Sequence, residues 1–125
     1  MEVDFLVSLV KRDICLYQDL LKKVQGLKSL DKFLKPSYVT QFGPFHELEE
    51  LKGFLDRNHY FFDGDTYSKC FSVTQQVGNN LYYNYDNPTK GQIIVFEQEL
   101  MDFINGKIKR LNDTIEEIQC NHPNG

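Results

Sequence analysis

Asp56, His59, Asp63 and Asp65 form the densest cluster of titratable side chains in the sequence. Paired carboxylates beside an imidazole can divide general-acid and general-base roles, so a small enzyme built on this chain would use the Asp56 to Asp65 region. Asp63-Gly64-Asp65-Thr66 has the closely spaced oxygen donors that a hard cation needs, but it lacks the third donor and the distal glutamate of a calcium loop, and it reads as a turn. His46-Glu47 begins like the zinc-peptidase pattern, yet Glu50 stands where the second histidine belongs. His46, His59 and His122 have no ligand spacing, so no metal and no cofactor is expected. Cys15, Cys70 and Cys120 have no adjacent histidine to activate them. There is no glycine-rich phosphate loop, nucleophile elbow or dinucleotide fingerprint. Catalysis has no specific motif, and a non-enzymatic role is the expectation.

The side chains must be positioned by elements whose periods can be read from the sequence. Residues 3–25 predict a first helix, because Leu6, Val10, Tyr17, Leu21 and Val24 recur at helical spacing, with Gly26 ending it. A further turn from Ser29 to Leu34 precedes Pro36, which disfavours helix at Lys35 and forces an extended exit. Gly43-Pro44 opens a second helix that ends near Asn58. Its first turn carries Glu47, Glu49 and Glu50, and its buried face is Phe45, Leu48, Leu51 and Leu55.

Aromatic and β-branched residues cluster from Tyr60 to Tyr85, interrupted by Asp63-Gly64-Asp65 and Val77-Gly78-Asn79-Asn80. This composition predicts strands at Tyr67–Gln75 and Leu81–Tyr85, closed as a hairpin near Gly78, with Tyr60–Phe62 as a further strand. Asp86-Asn87-Pro88-Thr89 ends the sheet and caps the next element. From Ile93 to Ile118 apolar residues then alternate at spacings of three and four, through Phe96, Leu100, Ile104, Ile108, Leu111 and Ile115. Two readings compete for Gln92–Phe96. The unbroken spacing argues for one helix of about thirty residues. The β-branched run, Gly91, and Glu97 with Glu99 argue for a third strand followed by a helix from about Gln98 to Gln119, and that reading is preferred. The expected fold is α+β: two N-terminal helices, a small antiparallel β-meander or hairpin, and a long C-terminal helix packed on the sheet. Residues 1–119 form one domain, and 120–125 are a flexible tail.

With 41% hydrophobic and 26% charged residues, the 125-residue chain is that of a folded domain. Met1 to Val10 is apolar, but acids precede it and Lys11-Arg12 follow, the reverse of a secretory signal, and no stretch could span a bilayer. Three widely separated cysteines fit a reducing compartment, so the expected location is cytoplasmic. The net charge is −4, with acids crowded between Glu47 and Asp65, which disfavours nucleic acid and favours a basic protein, and no membrane partner is expected. Phe61, Phe62, Tyr82, Tyr83 and Tyr85 lack the interleaved Lys and Arg of a single-strand stacking platform.

The resulting expectation is a module that binds another protein, one that is basic or acts on nucleic acid. Small acidic immunity, antitoxin and phage-encoded anti-defence inhibitors have this character and act by covering a partner's functional surface. The expected contacts are Glu47, Glu49, Glu50, Asp56, Asp63, Asp65 and Tyr82. A second reading takes the C-terminal seam of Ile104, Ile108, Leu111, Ile115 and Ile118 as an interface, in a homodimer or a hetero-oligomer. Its order of helix, β-hairpin region and seamed helix resembles that of prefoldin-type chaperone subunits, in which terminal helices pair as a coiled coil.

Overall fold

In a computed structural model of the chain, the structure describes residues 2–34, 44–83 and 89–121. Among the described residues four helices carry the fold: α1 (Glu2–Val24), α2 (His46–Arg57), α3 (Gly64–Tyr83) and α4 (Gln92–Asn121). Two 3-10 segments, Leu27–Phe33 and His59–Phe61, lie between α1 and α2 and between α2 and α3. α1 and α4 form the most extensive pairing, α2 lies on α1 and α3, and α3 lies on α4, so each helix has two neighbours around one core. α4 runs antiparallel to α1, since Lys28 meets Glu97 while Tyr17 lies beside Lys107 and Leu111.

The core is aliphatic at its centre. Leu20, Val24, Leu27, Leu30, Leu48, Leu51, Leu55, Val77, Leu81, Ile93, Leu100 and Ile104 are all fully buried. Aromatic rings close its ends, with Tyr17 edge-on to Phe62 at 5.6 Å and Phe45 against Phe33 at 5.1 Å. The 3-10 segment is fixed to the start of α4 by Asp31, whose carboxylate accepts hydrogen bonds from the Gly91 (2.8 Å) and Ile93 (3.1 Å) amides. Gly91 itself takes a positive φ of 96°, which a residue with a side chain adopts only at a cost.

The expected sheet is corrected. No strand occurs among the described residues, and the fold is all-α instead of α+β. The segment read as a hairpin is the single helix α3, which buries Thr66, Cys70, Val73, Thr74, Val77 and Leu81 at spacings of three and four. That stripe is made of small and β-branched residues, so composition points to strand while position points to helix. Gly78 and Asn80, turn residues by type, lie within the helix and are buried. The buried Thr74 hydroxyl is satisfied by donating to the Cys70 carbonyl at 2.6 Å. Tyr60–Phe62 is not a strand either: His59–Phe61 form a 3-10 turn.

Ile93–Phe96 is the first turn of α4, not a third strand. Ile93 is fully buried while Ile94 and Val95 are 50% and 64% exposed. A half-buried strand would have buried Ile93 and Val95 together. The uninterrupted seam was the correct signal, and Gly91 lies outside the helix at its entry. α4 continues to Asn121, so Cys120 and Asn121 of the expected tail are helical. Residues 122–125, the Pro36 exit, Gly43, Tyr85 and the Asp86 to Pro88 part of the expected cap lie outside the described residues.

Candidate interaction surface

Helices α2 and α3 pack side by side and leave a groove along their outer face. One end, a cavity of about 250 Å³, is lined by Leu55, Asp56, Phe71 and Thr74. The other, of about 360 Å³, is lined by Glu49, Gly78, Asn79, Tyr82 and Tyr83. Lys52 and Gln75 line both ends and make the groove continuous. Its lining recurs every three or four residues on both helices, so the groove follows from helical phase. Phe71 and Tyr83, 42% and 60% exposed, are the large apolar side chains at its two ends.

Phe71 is held by its neighbours. Tyr60, His59, Tyr67 and Phe71 form a run of stacked rings, with successive centroids at 5.1, 3.9 and 5.8 Å and interplanar angles under 20°. The 3-10 turn brings His59 and Tyr60 beside the first turn of α3, which is why rings from two elements share one stack. Tyr60 at its outer end is 94% exposed. Stacking fixes the Phe71 ring before anything binds, and a preordered aromatic anchor loses less entropy on contact.

The expected contact residues divide into three groups. Glu49, Asp56 and Tyr82 come together on the groove, although Tyr82 is half-buried and packs on Phe45 at 5.3 Å. Glu47 and Glu50 lie on the other flank of α2: Glu50 pairs with Lys23 (3.7 Å) and His46 (3.1 Å), and Glu47 packs over Gly26. Asp63, itself partly exposed, is engaged at the start of α3, and Asp65 is exposed on its first turn. Lys52, Phe71 and Gln75 also lie on this surface, where the sequence pattern did not place them. The helical phase of α3 was the signal that would have found them.

Asp63 is the N-cap of α3, accepting from the Thr66 amide at 2.8 Å through one oxygen and from the Tyr17 hydroxyl at 2.8 Å through the other. Lys107 of α4 approaches it at 3.4 Å, so one carboxylate ties three helices. Burial works against its charge, but the hydrogen bonds from Thr66 and Tyr17 and the Lys107 ammonium outweigh it and hold its pKa below the ordinary value. The same burial raises the pKa of the Tyr17 phenol. Asp56, His59, Asp63 and Asp65 therefore do not converge: one lines the groove, one is in the ring stack, one caps a helix and one faces solvent. Among the described residues no group of three His, Cys, Asp or Glu is placed to hold a metal ion.

The α4 seam is largely internal. Leu100 and Ile104 are fully buried, Ile108 and Leu111 pack against the core, and Ile115 and Ile118 are half-buried along the terminal part of the α1–α4 pair. Exposed Phe5 and Leu6 lie at the same end of that pair. The β-hairpin in the prefoldin-like order of elements is helix α3. No described helix is long and apolar enough to cross a membrane. Comparison of the chain with protein-family models, curated proteins and solved structures finds no match.

Proposed function

We propose that the protein acts by binding another protein through the α2–α3 groove, as a small acidic inhibitor that covers its partner's functional surface. The observation that carries this reading is the gathering of Glu49, Asp56 and Tyr82 with exposed Phe71 and Tyr83 along one continuous groove. Aromatic anchors within a polar rim are the composition of an interaction hot spot. The net charge of −4 steers a basic partner towards it. Immunity, antitoxin and phage-encoded anti-defence proteins work in this way, and the role needs no catalytic group.

The test places a photo-crosslinking residue at Gln75, in the groove, or at Gln76, its exposed neighbour outside the lining. The expected result is one partner crosslinked from Gln75, lost when Phe71→Ala and Tyr83→Ala are combined, and reduced in its own activity when the purified chain is added. Equal crosslinking from both positions, or a partner whose activity the chain leaves unchanged, overturns the inhibitor reading.

A further inference from the structure

We infer that the α2–α3 groove receives a single amphipathic helix of the partner, with basic side chains over Glu49 and Asp56 and an acidic one over Lys52. The inference rests on the binding role proposed above and specifies its occupant. α2 and α3 run antiparallel here, Glu49 opposite Tyr82 and Asp56 opposite Phe71. From Phe71 to Tyr83 the α3 wall spans about 18 Å at 1.5 Å per residue. Two helices side by side present ridges between which a third helix seats.

Backbone chemistry selects a helix over an extended segment. The described residues offer no strand edge, and the walls are helices whose backbone groups bond internally. An extended peptide lying there would bury amides without partners, whereas a helix arrives with its own satisfied. Thr74, Gly78 and the edge of Leu55 form a low floor, and Phe71 and Tyr83 stand at either end as anchors.

Charge then specifies the rim. Glu49, Lys52 and Asp56 lie three and four residues apart on α2, giving the order minus, plus, minus, and none of them is in an ion pair among the described residues. The α3 rim opposite, Gln75 and Asn79, is neutral. A helix with Lys, Glu and Lys at matching spacing complements this order in either direction, because the pattern is palindromic in sign. Rim charges of this kind select partners more than they add affinity.

The probe is a synthetic amphipathic helix of about 18 residues, long enough to hold helical structure, with a leucine face and a Lys–Glu–Lys rim. Its twin carries Glu–Lys–Glu. Fluorescence anisotropy with the full chain should show the first binding about tenfold more tightly than the second, with Phe71→Ala weakening it. The triple variant E49K/K52E/D56K changes only unburied residues and should reverse the preference, with unchanged circular dichroism showing the fold intact. Absence of saturable binding, equal affinity for both peptides, or no reversal overturns the inference. Crosslinking of a partner from Gln75 with neither peptide bound would leave the binding role standing and remove the helix alone.

Discussion

The carboxylates of Asp31 and Glu97 exchange caps across one junction. Asp31, in the 3-10 segment, accepts from two amides at the entry of α4, and Glu97 of α4 accepts from the Lys28 amide at the entry of the 3-10 segment at 2.6 Å. Both side chains are buried, at 5% and 6% exposure, and each satisfies donors that its own element cannot. Segments about sixty residues apart are thereby locked in register.

Asp31→Ala should lower stability by about 2 kcal/mol, since it leaves two amides at a buried junction without an acceptor. Urea unfolding checks this. Asp31→Asn, which keeps one carbonyl acceptor, should lose roughly half as much.

Glu97 gives a pH signature. Burial raises its pKa in the folded state above the ordinary 4.5, and the Lys28 amide offsets this only in part. Between the unfolded and folded values the native state holds more proton, so this group's contribution falls as pH rises through that window. The stability of Glu97→Gln relative to the parent should therefore increase from pH 4.5 upward and level off above the folded pKa. Paired urea titrations at successive pH values measure the difference, and a flat difference would contradict the assignment.

Asp63 has the opposite sign. Its pKa is lowered from 3.8, so its stabilising contribution is present above that value and lost as pH falls through the folded one. Asp63→Ala should cost about 1 kcal/mol at neutral pH through the lost cap, and less below the folded pKa. A double-mutant cycle with Tyr17→Phe should show non-additivity, because the two side chains share one hydrogen bond.

The thiols should separate cleanly. Cys70 is fully buried and its pKa is pushed up to about 12 by desolvation and by Asp63, whereas Cys15 and Cys120 are exposed. Ellman's reagent should titrate the two exposed thiols in the native protein and reach Cys70 only after denaturation.

Stability along α4 should be graded. Ile104→Ala should cost about 3 kcal/mol, while Ile118→Ala, at a half-buried position, should cost about 1 kcal/mol. Equal effects would mean that the outer seam is covered by something more than α1.

The legible parts of this fold were those whose period and composition agree. α1, α2 and most of α4 carry Leu, Ile and Val at helical spacing between recognisable breakers, and they stand close to where the sequence puts them. α3 was illegible because its buried stripe is mostly Thr, Cys and Val, and because Phe71 and Tyr83 stand exposed among the polar residues of its outer face. With α3 patterned like strands the groove is not legible: Glu49, Asp56 and Tyr82 stand out in the sequence, but Phe71 falls within an expected strand and Lys52 carries no local signal. Asp31 and Glu97 could not be found at all, since their roles depend on a tertiary junction that no local pattern encodes.

The pairing of α1 with α4 also sets an order of events during folding. Leu20, Val24 and Leu27 share one buried core with Ile93, Leu100 and Ile104, so the part of the core between α1 and α4 closes only after a loop of more than about sixty residues has been spanned. An all-helical chain ordinarily folds quickly through local contacts, but this one depends on a distant pair. During synthesis, α2 can cover part of the apolar face of α1 as it emerges, but the part that packs on α4 stays uncovered until α4 follows. That interval is when the chain is most exposed to aggregation or chaperone capture.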